Sequence, residues 1–423
     1  MIDIRLLRED PDLVKESIKK RFQNEKLKLV DEVLKSDEEW RSLKYAEDSL
    51  RSERNKISKK INELKKSGKD AKKEIKEAGE IPGKIANTEE KRKKLEERID
   101  NLLKKIPVIF DESVPIGKDE SENKVVKAYG KPEKKEVKTH VEIGEELGLL
   151  DFESSADVAG KGFYYMKKDL ALLNCALINF ARDFMVEKGF EYVEPPLMIK
   201  KEVLEGVFSH DEIAQMAYKI EGEDLYLIAT SEHPLIGKFI GKTLRSKDLP
   251  ITETAYSMCF RKEIGSHGID EKGIFRTHQF NKQEMVVVCE PGESMDWFKK
   301  MHDFSVEFFK KLEIPFRVLE ICSGDLGALK VKQYDFEAWS PRKNGYFEIT
   351  SLSNMGDSQA RRLGIKIEGQ GERYFAHTLN NTVIATSRAL VAIMENNQQK
   401  DGTIKIPKVL QPYMNRKKVI GKK

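Results

Sequence analysis

Between Arg261 and Glu284 the chain reads RKEIGSHGIDEKGIFRTHQFNKQE. If its two ends are antiparallel strands joined by the glycine-bearing middle, residues two apart share a face. Arg261 and Glu263 then point the same way on the first strand. Arg276, Phe280 and Glu284 do so on the second. Such a face offers two guanidinium forks, an aromatic plate and two carboxylates. A nucleoside triphosphate offers the complement: phosphate oxygens for arginine, a flat base for stacking, and exocyclic amines for a carboxylate. A salt-bridged surface hairpin would show the same spacing, so charge spacing alone leaves both open.

Other chemistry is poorly represented. GKFIGKT (237–243) resembles a phosphate loop, but its first glycine falls one residue too late, and its apolar spacing reads as helix. No GxGxxG opens a helix and no GxSxG elbow occurs. The four cysteines, Cys175, Cys259, Cys289 and Cys322, form no CxxC pair, and the seven histidines are scattered. No zinc site or disulfide framework is expected, whereas a hard cation on carboxylates and phosphates remains open.

These groups need elements to carry them, and the 423 residues exceed one compact core. From about Asp37 to residue 105 the chain is dense in Lys, Arg and Glu. Leu43, Leu50, Ile57 and Leu64 recur every seven residues. After KKSGKD, Ala78, Ile85, Ile99 and Ile106 share one heptad row, with Arg92 its polar member, and Ile81, Thr88, Leu95 and Leu102 share another. Two heptad segments around a glycine turn predict an antiparallel helical hairpin. Pro82 suggests a kink or a late helix start. The hairpin's basic clusters suit phosphate contact, and its periodicity equally suits a dimerising coiled coil. Residues 104–124, with Pro107, Pro115 and Gly117, read as a linker. Beyond them YLIAT, MVVVC and IPFRVLEICSG read as strands, and LALLNCALINFARDFMVEKG as a helix stopped at Gly189. Charged residues are 35% of the chain and the formal net charge is +4, so nucleic-acid affinity would come from local clusters. There is no transmembrane-length apolar run and no apolar signal core in MIDIRLLRED; cytoplasmic location and no membrane are the expectation.

The 259–285 stretch resembles motif 2 of the class II aminoacyl-tRNA synthetases: Phe-Arg-x-Glu, a variable loop, then Arg-x-x-x-Phe-x-x-x-Glu. KGFEYVEPPLM, with Pro196, is similar to motif 1, and TLNNTVIATSRALVAIMEN, with Arg388, to motif 3. YLIATSEHPL, RTHQFNKQEM and FEITSLSNMGDSQARR are similar to segments of the seryl-tRNA synthetase family in particular. The hairpin resembles that family's tRNA-binding arm. Two departures stand out: Asn381, Thr382, Ala385 and Thr386 replace the glycines or serine of many motif 3 sequences, and Ser231 replaces the alanine of Thr-Ala-Glu.

The resemblance implies an α+β chain. A tRNA-binding domain with the hairpin arm (about 37–105) would span 1–110. A class II catalytic domain, a mainly antiparallel sheet flanked by helices, would span 111–423. ATP and L-serine would give seryl-adenylate and pyrophosphate, and serine would pass to tRNA(Ser), with tRNA(Sec) an open second acceptor. Arg261 would hold the α-phosphate and the serine carboxylate; it and Arg388 are the catalytic candidates. Glu263 would read the adenine amine, Phe280 would stack on the base, Arg388 would close the other face of the base or reach the γ-phosphate, and Arg276 would also fit a γ-phosphate contact. Glu348 and Ser351 would hold Mg2+ on the phosphates. Thr230, Glu232, Glu284 and Thr382, with Arg261, would bind serine. His278 is assigned to packing, and Asn281 faces away by alternation. The loop from Ile264 to Ile274 is expected to meet the tRNA acceptor end, and motif 1 implies a homodimer. Two other functions remain to be weighed: a synthetase-like ligase that loads an amino acid onto a carrier protein, and an inactive paralogue serving as an RNA-binding scaffold. The long basic hairpin disfavours the first, and the intact Arg261, Glu263, Phe280, Glu348 and Arg388 disfavour the second.

Overall fold

The structure is a computed structural model that describes residues 1–208, 213, 215–263, 273–369 and 371–421. The expected loop contact at 264–272 therefore lies outside the described residues. The chain divides into two compact units. One comprises residues 2–19 and 23–107; the other comprises residue 1, residues 20–22 and residues 108–423.

The smaller unit is built on two long helices, α1 (Leu27–Lys66) and α2 (Lys72–Leu103), packed against each other. The heptad leucines mark only part of this hairpin, because α1 begins ten residues before Asp37. Apolar spacing there gives way to Val30 and Val33, both fully buried. Pro82 lies inside α2 rather than at its start. The polar heptad member also has an explanation. Arg92 Nε pairs with Glu47 at 2.9 Å across the hairpin, and Glu47 also binds Arg51 at 2.8 Å. Hydrogen bonds from Arg92, then Arg51, hold the Glu47 carboxyl below its ordinary range.

In the larger unit, eight strands form a sheet: β1 (Lys124–Tyr129), β2 (Glu191–Tyr192), β3 (Ile251–Phe260), β4 (Gln279–Cys289), β5 (Phe316–Glu320), β6 (Lys332–Ser340), β7 (Gly345–Gly356) and β8 (His377–Ala385). Their spatial order is β1-β5-β6-β7-β8-β4-β3-β2, and every pairing is antiparallel except β2 with β3. Three helices, α3 (Lys168–Glu187), α4 (Ser294–Lys311) and α5 (Thr386–Asn396), supply much of the main core. Gly189, at φ +85, ends α3's turn as its sequence suggests.

Strand β4 shows how the sheet makes a site. Its odd-numbered Met285, Val287 and Cys289 enter the helix-covered core. On the opposite face Val286 and Val288 join a second apolar cluster, and the same face, continued backwards, carries Glu284, Lys282 and Phe280. One side of a single strand thus passes from apolar support to polar cleft.

Two segments depart from the sequence reading. Residues 104–124 are not a free linker: Ile106, Val108 and Val114 are buried, and the Val108 N–H donates to the Ala328 carbonyl at 2.9 Å. GKFIGKT is not a helix either. A short helix, Glu232–Gly237, ends at its first residue, Gly241 turns at φ +68, and Thr243–Arg245 is a strand.

Candidate active site

A cleft of about 350 Å³ opens over the sheet. Arg261, Glu263, Arg276, Phe280, Thr230, Glu232, Glu348, Ser351, Thr382 and Arg388 all line it. Glu284 lies just beneath, 1% exposed.

The opening stretch is less regular than a plain hairpin. β3 ends at Phe260 and β4 begins at Gln279, so Arg261, Glu263 and Arg276 stand beyond the strands rather than on them. Pairing nevertheless continues for one step, because the Arg261 N–H donates to the His278 carbonyl at 3.0 Å. Glu263 then adopts φ +50 and meets Arg276 Nη1 at 2.8 Å. The Arg261 guanidinium sits 5.1 Å from the centroid of the Phe280 ring. His278 Nδ1 lies 3.0 Å from both Tyr218 Oη and the Arg261 carbonyl, with its ring beside Phe163. Asn281 accepts from Tyr256 Oη at 2.8 Å and is not part of the cleft lining.

At the floor, sheet register assembles a polar nest. Thr382 on β8 stands opposite Glu284 on β4. Glu284 Oε1 accepts from Thr230 Oγ1 at 2.9 Å and Thr382 Oγ1 at 3.3 Å, and the carboxylate pairs with Lys282 Nζ. Among the described residues Glu284 Oε2 has no hydrogen-bond partner. A buried acceptor left so costs roughly 1–3 kcal/mol, which a ligand donor would recover. Beside it, Glu232 Oε1 accepts from Gln359 Nε2 at 2.7 Å and Asn380 Nδ2 at 3.0 Å. Burial, then the nearby Glu284 charge, push the Glu232 carboxyl up to about 7.

The far wall depends on an irregularity. Glu348 and Ser351 are three residues apart and would face opposite ways on a regular strand. The β6–β7 register shifts between Phe336 and Glu337, so that Thr350 and Glu348 oppose consecutive residues. The extra residue, Ile349, brings both side chains into the cleft. Arg388, in the first turn of α5, donates through Nη1 to the Glu348 carbonyl and to Oε2, each at 3.0 Å, and its guanidinium lies 5.1 Å from the Phe275 ring centroid. Asp335 stands opposite Ser351 in the pairing, and Gln333 Nε2 bridges Asp335 Oδ1 at 2.7 Å and Ser351 Oγ at 3.1 Å. Burial and the Glu348 charge raise the Asp335 carboxyl. Burial also pushes Glu348 upward, but the charge and hydrogen bond of Arg388 outweigh it and hold Glu348 low. Its side chain keeps 45% of its surface open, which agrees with that direction.

The comparisons with known proteins concern the whole chain. The seryl-tRNA synthetase N-terminal domain family matches residues 1–110, and the class II core domain of the G, H, P, S and T tRNA synthetases matches residues 217–397. A serine–tRNA ligase of Methanocella arvoryzae is 45% identical over 98% of this chain and 99% of its own. The chain belongs to the seryl-tRNA synthetases. The crystal structure of seryl-tRNA synthetase from Pyrococcus horikoshii complexed with ATP superposes with a TM-score of 0.94 at 43% identity, covering 99% of each chain. That of the cytoplasmic serine–tRNA ligase from Naegleria fowleri in complex with AMP gives 0.89 at 35% identity, covering 99% of this chain and 98% of its own. The activity is serine–tRNA ligation, with serine and tRNA as substrates. The α+β architecture expected from sequence is the one present.

Several residues of this synthetase's cleft escaped the sequence reading. Lys282 is even-spaced with Phe280 and Glu284, so alternation alone would have put it on the ligand side. Asn380 is two residues before Thr382 on the same face of β8. Asp335, Gln333 and Phe275 had no comparable signal, because cross-strand register and the packing of Arg388 bring them in. Among the described residues no cluster of three or more His, Cys, Asp or Glu side chains is arranged to hold a metal ion, and no helix is long and apolar enough to cross a membrane.

Proposed function

We propose that the cleft activates L-serine with ATP, with each contact assigned to a named side chain. The observation that carries the assignment is the Glu284 nest: a buried carboxylate with one unpartnered oxygen, flanked by two threonine hydroxyls and Lys282. It suits a small substrate that carries both an ammonium and a hydroxyl donor. Glu284 reads the serine hydroxyl, and Thr230, Thr382 and Glu232 hold the amino end. A hydrogen in place of the hydroxyl would leave that acceptor unpaired, a penalty that discriminates against alanine.

Arg261 bridges the serine carboxylate and the ATP α-phosphate. A carboxylate oxygen attacks the α-phosphorus, the bond to pyrophosphate breaks, and charge builds on oxygens that Arg261 already faces. Phe280 stacks on adenine and Glu263 accepts from its amine, while Arg276 and Arg388 take the γ-phosphate. In the second step the terminal ribose hydroxyl of tRNA attacks the acyl carbon and AMP leaves. The protein contributes position and charge. Glu348, Ser351 and Asp335 form an oxygen-only donor set, which fits Mg2+. When bound, the ion neutralises phosphate charge. A pair of carboxylates crowded enough to raise Asp335 is well suited to a cation.

The same proposal divides the chain at about residue 110, with the hairpin as the tRNA arm, and includes a cytoplasmic homodimer through motif 1. It takes tRNA(Ser) as acceptor, with tRNA(Sec) as a second acceptor to be tested. The experiment is serine-dependent ATP–pyrophosphate exchange. The wild-type chain is expected to exchange with serine, and R261A to lose exchange while keeping its melting temperature. Absence of exchange by the wild type, even with tRNA supplied, would sink the proposal.

A further inference from the structure

Arg21 is 1% exposed, yet among the described residues it hydrogen-bonds to no carboxylate. Its guanidinium donates to main-chain carbonyls instead: Leu326 at 2.7 Å and Gly327 at 3.3 Å through Nη1, Val108 and Lys330 at 3.0 Å each through Nη2. Three of those four carbonyls lie within residues 326–330. Burial without a counter-charge lowers its pKa to about 10. Four donors of this planar fork go to carbonyls, while Nε is buried with no partner among the described residues. The four bonds fix main-chain geometry, and the segment fixed is a wall of the cleft, since residues 327–330 line it.

Lys330 is the charged member of that wall. Its stem lies over Gly327, where an added Cβ would come within 3.3 Å of Lys330 Cδ and Cε, so glycine gives the stem its space. Its Nζ donates to Gln333 Oε1 at 2.8 Å, and Gln333 Nε2 continues to Asp335 and Ser351. The ammonium therefore sits at the end of a hydrogen-bonded chain that reaches the proposed phosphate–metal wall. Its charge also counters the burial of Glu232, Asp335 and Glu348.

We propose that Lys330 is a further phosphate-binding residue of the nucleotide site, carried on a loop whose main chain Arg21 holds in place. The inference rests on reading the cleft as the ATP site. Lysine binds phosphate as a point charge beside the arginine forks. Of its three donors, one is spent on Gln333, which orients the head without exhausting it. Arg21 acts only through the loop and is a positioning residue.

The test is ATP–pyrophosphate exchange, titrating ATP and serine separately, with ATP affinity measured by calorimetry on the full chain. K330M is expected to raise the KM and Kd for ATP about tenfold or more, the weight of a lost charge-assisted hydrogen bond. The KM for serine should stay near wild type, and K330R should restore most of the loss. R21K keeps the charge but loses the fork; where it melts like wild type, it should shift the KM for ATP in the same direction. An ATP KM and Kd unchanged in K330M would overturn the phosphate role, and unchanged values in a well-folded R21K would overturn the positioning role. If R21K does not fold, the two Lys330 variants decide. Wild type without serine-dependent exchange would instead refute the reading of the cleft itself.

Discussion

At the scale of residues, the cleft works by setting charged groups against each other at short range. Glu232 is the clearest case. Its carboxyl ordinarily titrates near 4.5, and burial with the Glu284 charge moves it to about 7. Between those values the folded chain keeps a proton that the unfolded chain has released. Its contribution to stability is therefore present below 4.5 and is lost as pH rises through about 7. E232Q, always neutral, should gain stability relative to wild type as pH rises across that window and level off above it. Melting temperatures of the ligand-free proteins from pH 5 to 8, taken as a difference, check this; a flat difference would contradict it. Site residues were legible in sequence where chemistry and spacing coincide, as at Arg261, Phe280 and Glu284. Lys282 shares the even spacing of Phe280 and Glu284 and was overlooked there. Asp335 was illegible in principle: only the β6–β7 register sets it beside Ser351.

At the scale of elements, irregularities do as much as regular structure. The bulge at Ile349 turns Glu348 and Ser351 the same way, and no period-two pattern announces such an insertion. The hairpin was legible because its heptads repeat, but only where leucines and isoleucines mark them, so its base before Asp37 was missed. Its polar seam makes a prediction of its own. Glu47 is buried and held by Arg92 and Arg51. Removing one partner of a buried pair costs more than replacing both by apolar groups. R92M should therefore melt lower than wild type, and lower than the double variant E47L/R92L, when helicity of the full chain is followed by circular dichroism. Equal melting of R92M and wild type would show that the pair contributes nothing.

At the scale of the whole molecule, we assign recognition of tRNA to the hairpin and activation of serine to the cleft, two different parts of the chain. Arg51 and Glu89 approach to 3.9 Å across the hairpin, so residues 52–87 can be replaced by a short Gly/Ser turn without opening the base. The trimmed enzyme should keep serine-dependent exchange within about twofold while losing charging of tRNA(Ser). Loss of exchange would mean that the arm's outer half supports the catalytic fold. The change from a Lys/Arg/Glu-rich heptad region to alternating apolar strands was readable from composition. The way residues 106–114 pack was not, because prolines and a glycine mimic a linker even where the intervening valines are buried.

The assignment of Glu284 as the reader of serine is what joins these scales, and a serine titration of E284Q in ATP–pyrophosphate exchange tests it most directly. Removing the charged acceptor should raise the KM for serine by about tenfold or more and leave the KM for ATP near wild type. A serine KM unchanged in a well-folded E284Q would contradict it.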